Sequence, residues 1–214
     1  MKIYADPITI NCRKVIAGLK LMDIPYQHEH IDYFQAQQKS PHYLAINPNA
    51  ALPAMADGEF ILWESNAILQ YAADKHNKGE FYPTDLQTRA DINRWLLWES
   101  SSWFPSCYVY MVENCVKPLL QAEPDAAVLA AQDETFHKLA AILDKRLANS
   151  EWLGGAGPSI ADIAIAAPMH MHSLQQLPLQ QHPNLQRWMT ERVEQLPCWE
   201  ATYVGPGFTL ERTS

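Results

Sequence analysis

The chain has 214 residues, 48% of them hydrophobic and only 8 of them glycine, which is enough for one large or two small well-packed domains and excludes wholesale disorder. With 24 acidic against 16 basic side chains and a formal charge of −8, nucleic acid and anionic membrane surfaces are excluded as main partners, leaving room only for a local basic pocket. No apolar run approaches the roughly 20 residues of a membrane-spanning helix, and no signal-like stretch opens the chain, so the expectation is a cytoplasmic protein.

Residues 2–6 alternate, with Ile3 and Ala5 on one side and Tyr4 on the other, and end at Asp6-Pro7; this predicts a strand and a turn. From Asn11 the apolar positions Val15, Ile16, Leu19 and Met22 keep a 3.6-residue period until Asp23-Ile24-Pro25, predicting a helix. Residues 26–31 read as a second strand. Residues 32–44 are polar and irregular, and hold Lys39-Ser40-Pro41.

The stretch around which the rest is organised is NPNAALPAMADGEFILWESNAILQY, residues 47–71. Asn47-Pro48-Asn49 predicts a turn, Ala54-Met55-Ala56 and Phe60-Ile61-Leu62-Trp63 the arms of a hairpin around Asp57-Gly58, and Pro53 stands at its first residue, where proline is tolerated. A cis bond before Pro53 would turn the amide and carbonyl of Leu52 outward, free to pair with an extended peptide-like ligand. Glu64-Ser65-Asn66 then opens a helix through Ile68, Leu69, Ala72 and Ala73. A helix start with a hydroxyl and free amides is a carboxylate site.

Residues 77–85, with Gly79, Pro83 and Thr84, predict a linker, and no convincing strand follows. One helical stretch over 86–115 is expected to kink at Pro105. Further helices are predicted over 126–148, from Ser159, where Ser159 and Asp162 have the spacing of a capping box, and over 183–196. The organisation is therefore βαβ then ββα in residues 1–76, and all-helical in 86–214.

The order NP…LP…DG…ESNAI resembles the glutathione site of the cytosolic glutathione S-transferases, and the resemblance extends over nearly the whole chain. It implies a thioredoxin-like N-terminal domain, an all-helical C-terminal domain whose capped helix matches Ser159 to Asp162, glutathione as co-substrate, and a two-fold dimer. The activity implied is transfer of small, largely apolar electrophiles to the glutathione thiolate. Reduction of disulfides or peroxides by glutathione is the rival chemistry, and a non-catalytic binding module the rival outside enzymes.

Thr9-Ile10-Asn11-Cys12 occupies the turn where thioredoxin-like redox proteins carry Cys-x-x-Cys. A hydroxyl replaces the attacking thiol; it can donate to a sulfur anion brought by a ligand, which lowers that thiol's pKa. The resemblance casts Thr9 and Asn11 as the activating pair, the alternative being that one of them only caps the helix. It also implies Glu64 and Ser65 on the γ-glutamyl end, the Leu52 backbone with Pro53 on the cysteinyl unit, and Lys39 on the glycyl carboxylate. A plain helix cap at Ser65 and a surface lysine at 39 are the structural alternatives. Many relatives have a glycine and a polar residue before Val-Pro; here Ala50 and Ala51 stand there, so a side-chain contact is missing and the turn must be one that alanine adopts.

The second substrate is expected against Trp98, Ser102, Trp103, Tyr108 and Met111, whose aromatic and thioether surfaces suit an apolar electrophile; ordinary core packing is the alternative for each. Cys12, Cys107, Cys115 and Cys198 lack framework or metal-ligand spacing, as in a reducing compartment, and Cys12 reads as packing, with a reactive thiol as its rival. His28 and His30, or His170 and His172, lack a third ligand at sensible spacing, so no metal is expected.

Overall fold

The structure, a computed structural model, describes residues 1–204; the end of the expected helical region, residues 205–214, lies outside the described residues. Four strands, β1 (Lys2–Ala5), β2 (Gln27–His30), β3 (Ala54–Asp57) and β4 (Phe60–Trp63), form one sheet in the order β2-β1-β3-β4. β2 is parallel to β1, with Ile3 opposite His28, while β3 is antiparallel to β1 and β4 to β3. The parallel pair needs a crossover, and helix α1 (Ile10–Leu21) supplies it. The hairpin turn falls at Gly58 and Glu59, one position beyond the expected Asp57-Gly58, because Asp57 still pairs with Phe60 across the hairpin; Gly58 sits at φ +63°, the left-handed conformation that such a two-residue turn asks for.

One sheet face carries Ile3, Ala5 and Met55 into the main core against α1 and α3 (Ser65–Lys75). Each fully buried aliphatic side chain there contributes on the order of 1.5–3 kcal/mol. The two helices approach so closely at Gly18 that a methyl group there would lie 2.5 Å from Leu69 Cδ2. The opposite face is covered by a part of the chain expected to be irregular. Residues 32–44 contain a 3-10 turn, Gln37–Lys39, and a one-turn helix, α2 (Pro41–Leu44). The Ser40 hydroxyl accepts from the Tyr43 amide at 3.2 Å and Pro41 stands at the first helical position, a start signal that the polar composition hides. Tyr43 from α2 meets the edge of Tyr4, ring centroids 6.4 Å apart.

Among the described residues every strand precedes α3, and helices follow. The expected kink takes the form of a widened turn: α4 (Leu86–Trp98) runs into a π turn, Glu99–Trp103, before α5 (Phe104–Met111), with the Phe104 amide donating to the Glu99 carbonyl. Pro105 has no amide to donate and its ring would crowd the carbonyl four residues earlier, and the π turn absorbs both effects without ending the helix. The helix expected over 126–148 spans Ala126–Leu147, capped by Asp125. That over 183–196 is regular only over Pro183–Trp188, then widens into a π turn, Met189–Val193. The capping box is formed: the Asp162 carboxylate accepts from the Ser159 amide at 2.9 Å and hydroxyl at 2.7 Å, and from the Leu153 amide at 2.8 Å. No helix among the described residues is long and apolar enough to cross a membrane.

Candidate active site

The turn before Pro53 is held from beneath. The Ala51 carbonyl accepts from the Tyr43 hydroxyl at 2.7 Å and from the Asn47 amide group at 2.8 Å, and the Leu52–Pro53 bond is cis. Neither the amide nor the carbonyl of Leu52 has a hydrogen-bond partner among the described residues, so this backbone is a free edge for an extended ligand. Ala50 departs from expectation. It sits at φ +52°, the left-handed region that a side chain disfavours by roughly 1–2 kcal/mol, so the turn is one that glycine would adopt more easily.

Glu64 links β4 to α3 at φ +75°. A non-glycine residue held there stores strain of about 1–3 kcal/mol, a cost that recurs at ligand-binding positions. Its side chain is exposed and caps nothing. Ser65 is the first helical residue and not a cap. The first intrahelical bond of α3 starts at the Ile68 amide, leaving the amides of Ser65, Asn66 and Ala67 to a ligand. The Ser65 hydroxyl lies 3.4 Å from Asn11 Oδ1, which brings the start of α3 to the first turn of α1. Thr9 stands at the cap position of α1 but does not cap it; its hydroxyl and amide both donate to the Asp6 carbonyl at 3.0 Å. Asp6 in turn accepts through its carboxylate from the Ile8 amide at 3.2 Å and the Tyr33 amide at 2.9 Å, tying the loops after β1 and β2 together. Lys39 is exposed at the end of its 3-10 turn, with no hydrogen bond to any other candidate.

Cys12 faces the core with no exposed surface, and burial pushes its thiol up to about 12. A thiol so protonated is a packing residue at neutral pH. Among the described residues no three His, Cys, Asp or Glu side chains gather as metal ligands; His28 bonds the Ala5 carbonyl and meets only the edge of His30.

The expected second-substrate residues separate. Trp103 is fully buried, donates to the Ile165 carbonyl at 3.0 Å and packs on Phe136, so it has no surface to offer a second substrate and takes the packing alternative. Trp98 is partly buried and stacks on it, rings 6.0 Å apart. Ser102 is half-buried and bonds only Ser101. Met111 is nearly covered, grouped with Ile10, Phe104 and Met171. Tyr108 is exposed and stacks on Phe104 at 5.6 Å, and its hydroxyl is raised by burial and by Tyr33 opposite. Tyr33, exposed on the loop after β2, lies near Tyr108, and Phe34 beside it meets its ring at 5.9 Å. Reading from sequence missed Phe104, Tyr33 and Phe34, although Asp32-Tyr33-Phe34 put two aromatics in an otherwise polar loop. It also missed Lys14 and Glu99. Lys14 Nζ lies 3.1 Å from Ser65 Oγ and 3.0 and 2.9 Å from the two Glu99 carboxylate oxygens, with both side chains buried.

The family models for "Glutathione S-transferase, N-terminal domain" and "Glutathione S-transferase, C-terminal domain" match residues 3–80 and 105–197. Human glutathione S-transferase theta-1 is 33% identical over 201 residues, which cover 91% of this chain and 82% of the human protein. The chain belongs to the glutathione S-transferase family. Among solved structures, the theta-class glutathione S-transferase of Xanthomonas axonopodis pv. citri, with glutathione bound, superposes at a TM-score of 0.83 with 25% identity, covering 95% of this chain and 97% of that one. Glutathione transferase F2 of Populus trichocarpa gives 0.85 with 26% identity over 94% and 96%. The thioredoxin-like N-terminal domain and the helical C-terminal domain are those of the family.

Proposed function

We propose that this chain activates glutathione for attack on small apolar electrophiles, with residues 1–76 holding glutathione, 77–85 as the linker and the helices from 86 onward supplying the electrophile wall. The observation that carries this reading is the approach of Ser65 to Asn11, since it gives one mouth to the carboxylate seat of α3 and the thiol-facing turn of α1. The γ-glutamyl carboxylate accepts from the Ser65 hydroxyl and the α3 amides, and its ammonium donates to Glu64. The cysteinyl unit pairs with the Leu52 backbone beside Pro53, and Lys39 meets the glycyl carboxylate.

The sulfur then lies at Thr9, with Asn11 in the same turn. The Thr9 hydroxyl now donates to the Asp6 carbonyl, which keeps the Thr9 amide as a donor, so the hydroxyl can turn to the sulfur without orphaning that carbonyl. One such bond and the positive end of α1 favour the thiolate, and a shift of one pKa unit needs only about 1.4 kcal/mol. The thiolate forms a carbon–sulfur bond and the leaving group departs with its electron pair. Phe104 and Tyr108, with Tyr33 near Tyr108, supply an apolar aromatic wall for the electrophile, with Met111 packed in the same group as Phe104.

A homodimer accords with Phe60, Ile61 and Trp63 exposed on the edge strand β4; sedimentation at twice the monomer mass is the expected result. A buried, protonated Cys12 argues against redox chemistry by this chain's own thiol. Turnover with an aryl halide, a hydroperoxide and hydroxyethyl disulfide tests the reading. Aryl transfer is expected to dominate, and faster disulfide turnover would replace transferase by reductase.

A further inference from the structure

We propose that the buried pair Lys14–Glu99 is a positioning device that points the Ser65 hydroxyl at the α-carboxylate of the ligand's γ-glutamyl group and so sets selectivity for that carboxylate; this rests on the glutathione reading above. An ammonium can only donate. Lys14 Nζ therefore occupies a lone pair of Ser65 Oγ at 3.1 Å, and its other partners are the two Glu99 oxygens, with Asn66 Oδ1 farther away at 3.4 Å. The single Ser65 hydrogen is thereby directed away from Lys14. Its acceptor here is Asn11 Oδ1 at 3.4 Å, a long contact that a carboxylate displaces readily.

The charges are also ordered. Glu99 is also held by Asn66, whose amide group donates to its Oε2 at 2.9 Å and to the Leu96 carbonyl at 2.9 Å. Lys14 is the charged group in hydrogen-bond contact with Ser65 Oγ, so an arriving anion meets a hydroxyl polarised by a cation. The Phe104 ring, 6.0 Å from Lys14 Nζ, helps keep the ammonium from water. A pair of this kind, with side chains 2% and 1% exposed, is weak as a stabilising device, because the desolvation of both ions offsets their attraction and apolar replacements are often as stable. Its position beneath the hydroxyl, joining α1 to the π turn before α5, gives it a role that an apolar pair could not perform.

The test is calorimetric titration of the full chain and of the double variant Lys14→Met/Glu99→Gln with two probes: glutathione, and the same tripeptide carrying 4-aminobutanoyl in place of γ-glutamyl, which lacks only the α-carboxylate. Wild type is expected to prefer glutathione. The folded double variant is expected to lose about tenfold in glutathione affinity while its affinity for the analogue changes less than about twofold, as for one hydrogen bond to a charged group. A merely structural pair would move both probes alike. Lys14→Gln/Glu99→Gln, which keeps polar side chains without the charges, is measured beside it with the same expectation. An unchanged preference in either folded variant overturns the proposal, and so does unfolding of both, which would make the pair a matter of stability alone. Absence of glutathione binding by wild type would instead overturn the proposed function, and this inference with it.

Discussion

Replacing Ser65 by alanine separates the carboxylate seat from the chemistry at sulfur. Ser65 is buried, and its oxygen accepts from Lys14 at 3.1 Å while its hydrogen faces a distant Asn11 oxygen. Loss of a hydroxyl bond to a ligand carboxylate is worth roughly 1.5–3 kcal/mol; about 2 kcal/mol corresponds to a rise of about 30-fold in the glutathione Kd. The folded protein loses less. Lys14 keeps both Glu99 oxygens and the Asn11 contact is long, so the stability cost is about 1 kcal/mol. Because the proposed function puts the tail of the ligand and not its sulfur at this seat, kcat at saturating glutathione is expected to stay within about twofold. Calorimetric titration, thermal melting and initial rates measure the three quantities. A Kd unchanged in a folded Ser65→Ala protein, or a fall in kcat at constant Kd, would refute the assignment.

His170 is buried beside the Ala167 carbonyl, and burial, with Arg13 nearby, pushes its pKa down to about 3. The folded value lies below the unfolded one near 6.5, so the neutral ring's contribution is complete above pH 6.5 and is lost as pH falls toward 3. By pH 5 the loss is about 2 kcal/mol; urea midpoints at pH 7 and 5 should differ more for wild type than for His170→Gln, and an equal difference would contradict this. Gly18→Ala sets a methyl 2.5 Å from Leu69 Cδ2 and is expected to cost about 1–3 kcal/mol in urea unfolding; no loss would mean that α1 and α3 do not approach so closely. Cys12→Ala should leave the aryl transfer rate within about twofold, since a fully buried thiol held near 12 supplies no thiolate; a collapse of rate in a folded protein would give that thiol a part in the chemistry.

The strands, the hairpin and the start of α3 were legible because each is signalled locally: alternation in residues 2–6, Pro53 at a strand start, and Gly58 in a turn that lies one position later than Asp57-Gly58 suggested. The capping box was legible because both partners lie within four residues of each other. What was hidden depended on distant partners. Lys14 and Glu99 are 85 positions apart, and a lone charge in a helix ordinarily points to water, so nothing nearby revealed that these two face inward. Trp103 was offered for its aromatic surface, with core packing as the alternative, and packing is what the structure shows, with no exposed surface and the ring against Phe136; residue type alone does not separate the two. Ala50 shows the same limit on a smaller scale, since Asn47 and Tyr43 fix the turn through the Ala51 carbonyl and hold alanine where its own preference would not.

Activation of the bound sulfur by the Thr9 hydroxyl is most directly measured by ultraviolet titration of the thiolate in the glutathione complexes of wild type and Thr9→Ala. The wild-type complex should ionise below the ordinary cysteine value near 8.5, and Thr9→Ala should ionise about one pH unit higher, the equivalent of about 1.4 kcal/mol. Superimposable titration curves for two complexes of equal occupancy would contradict the role given to Thr9.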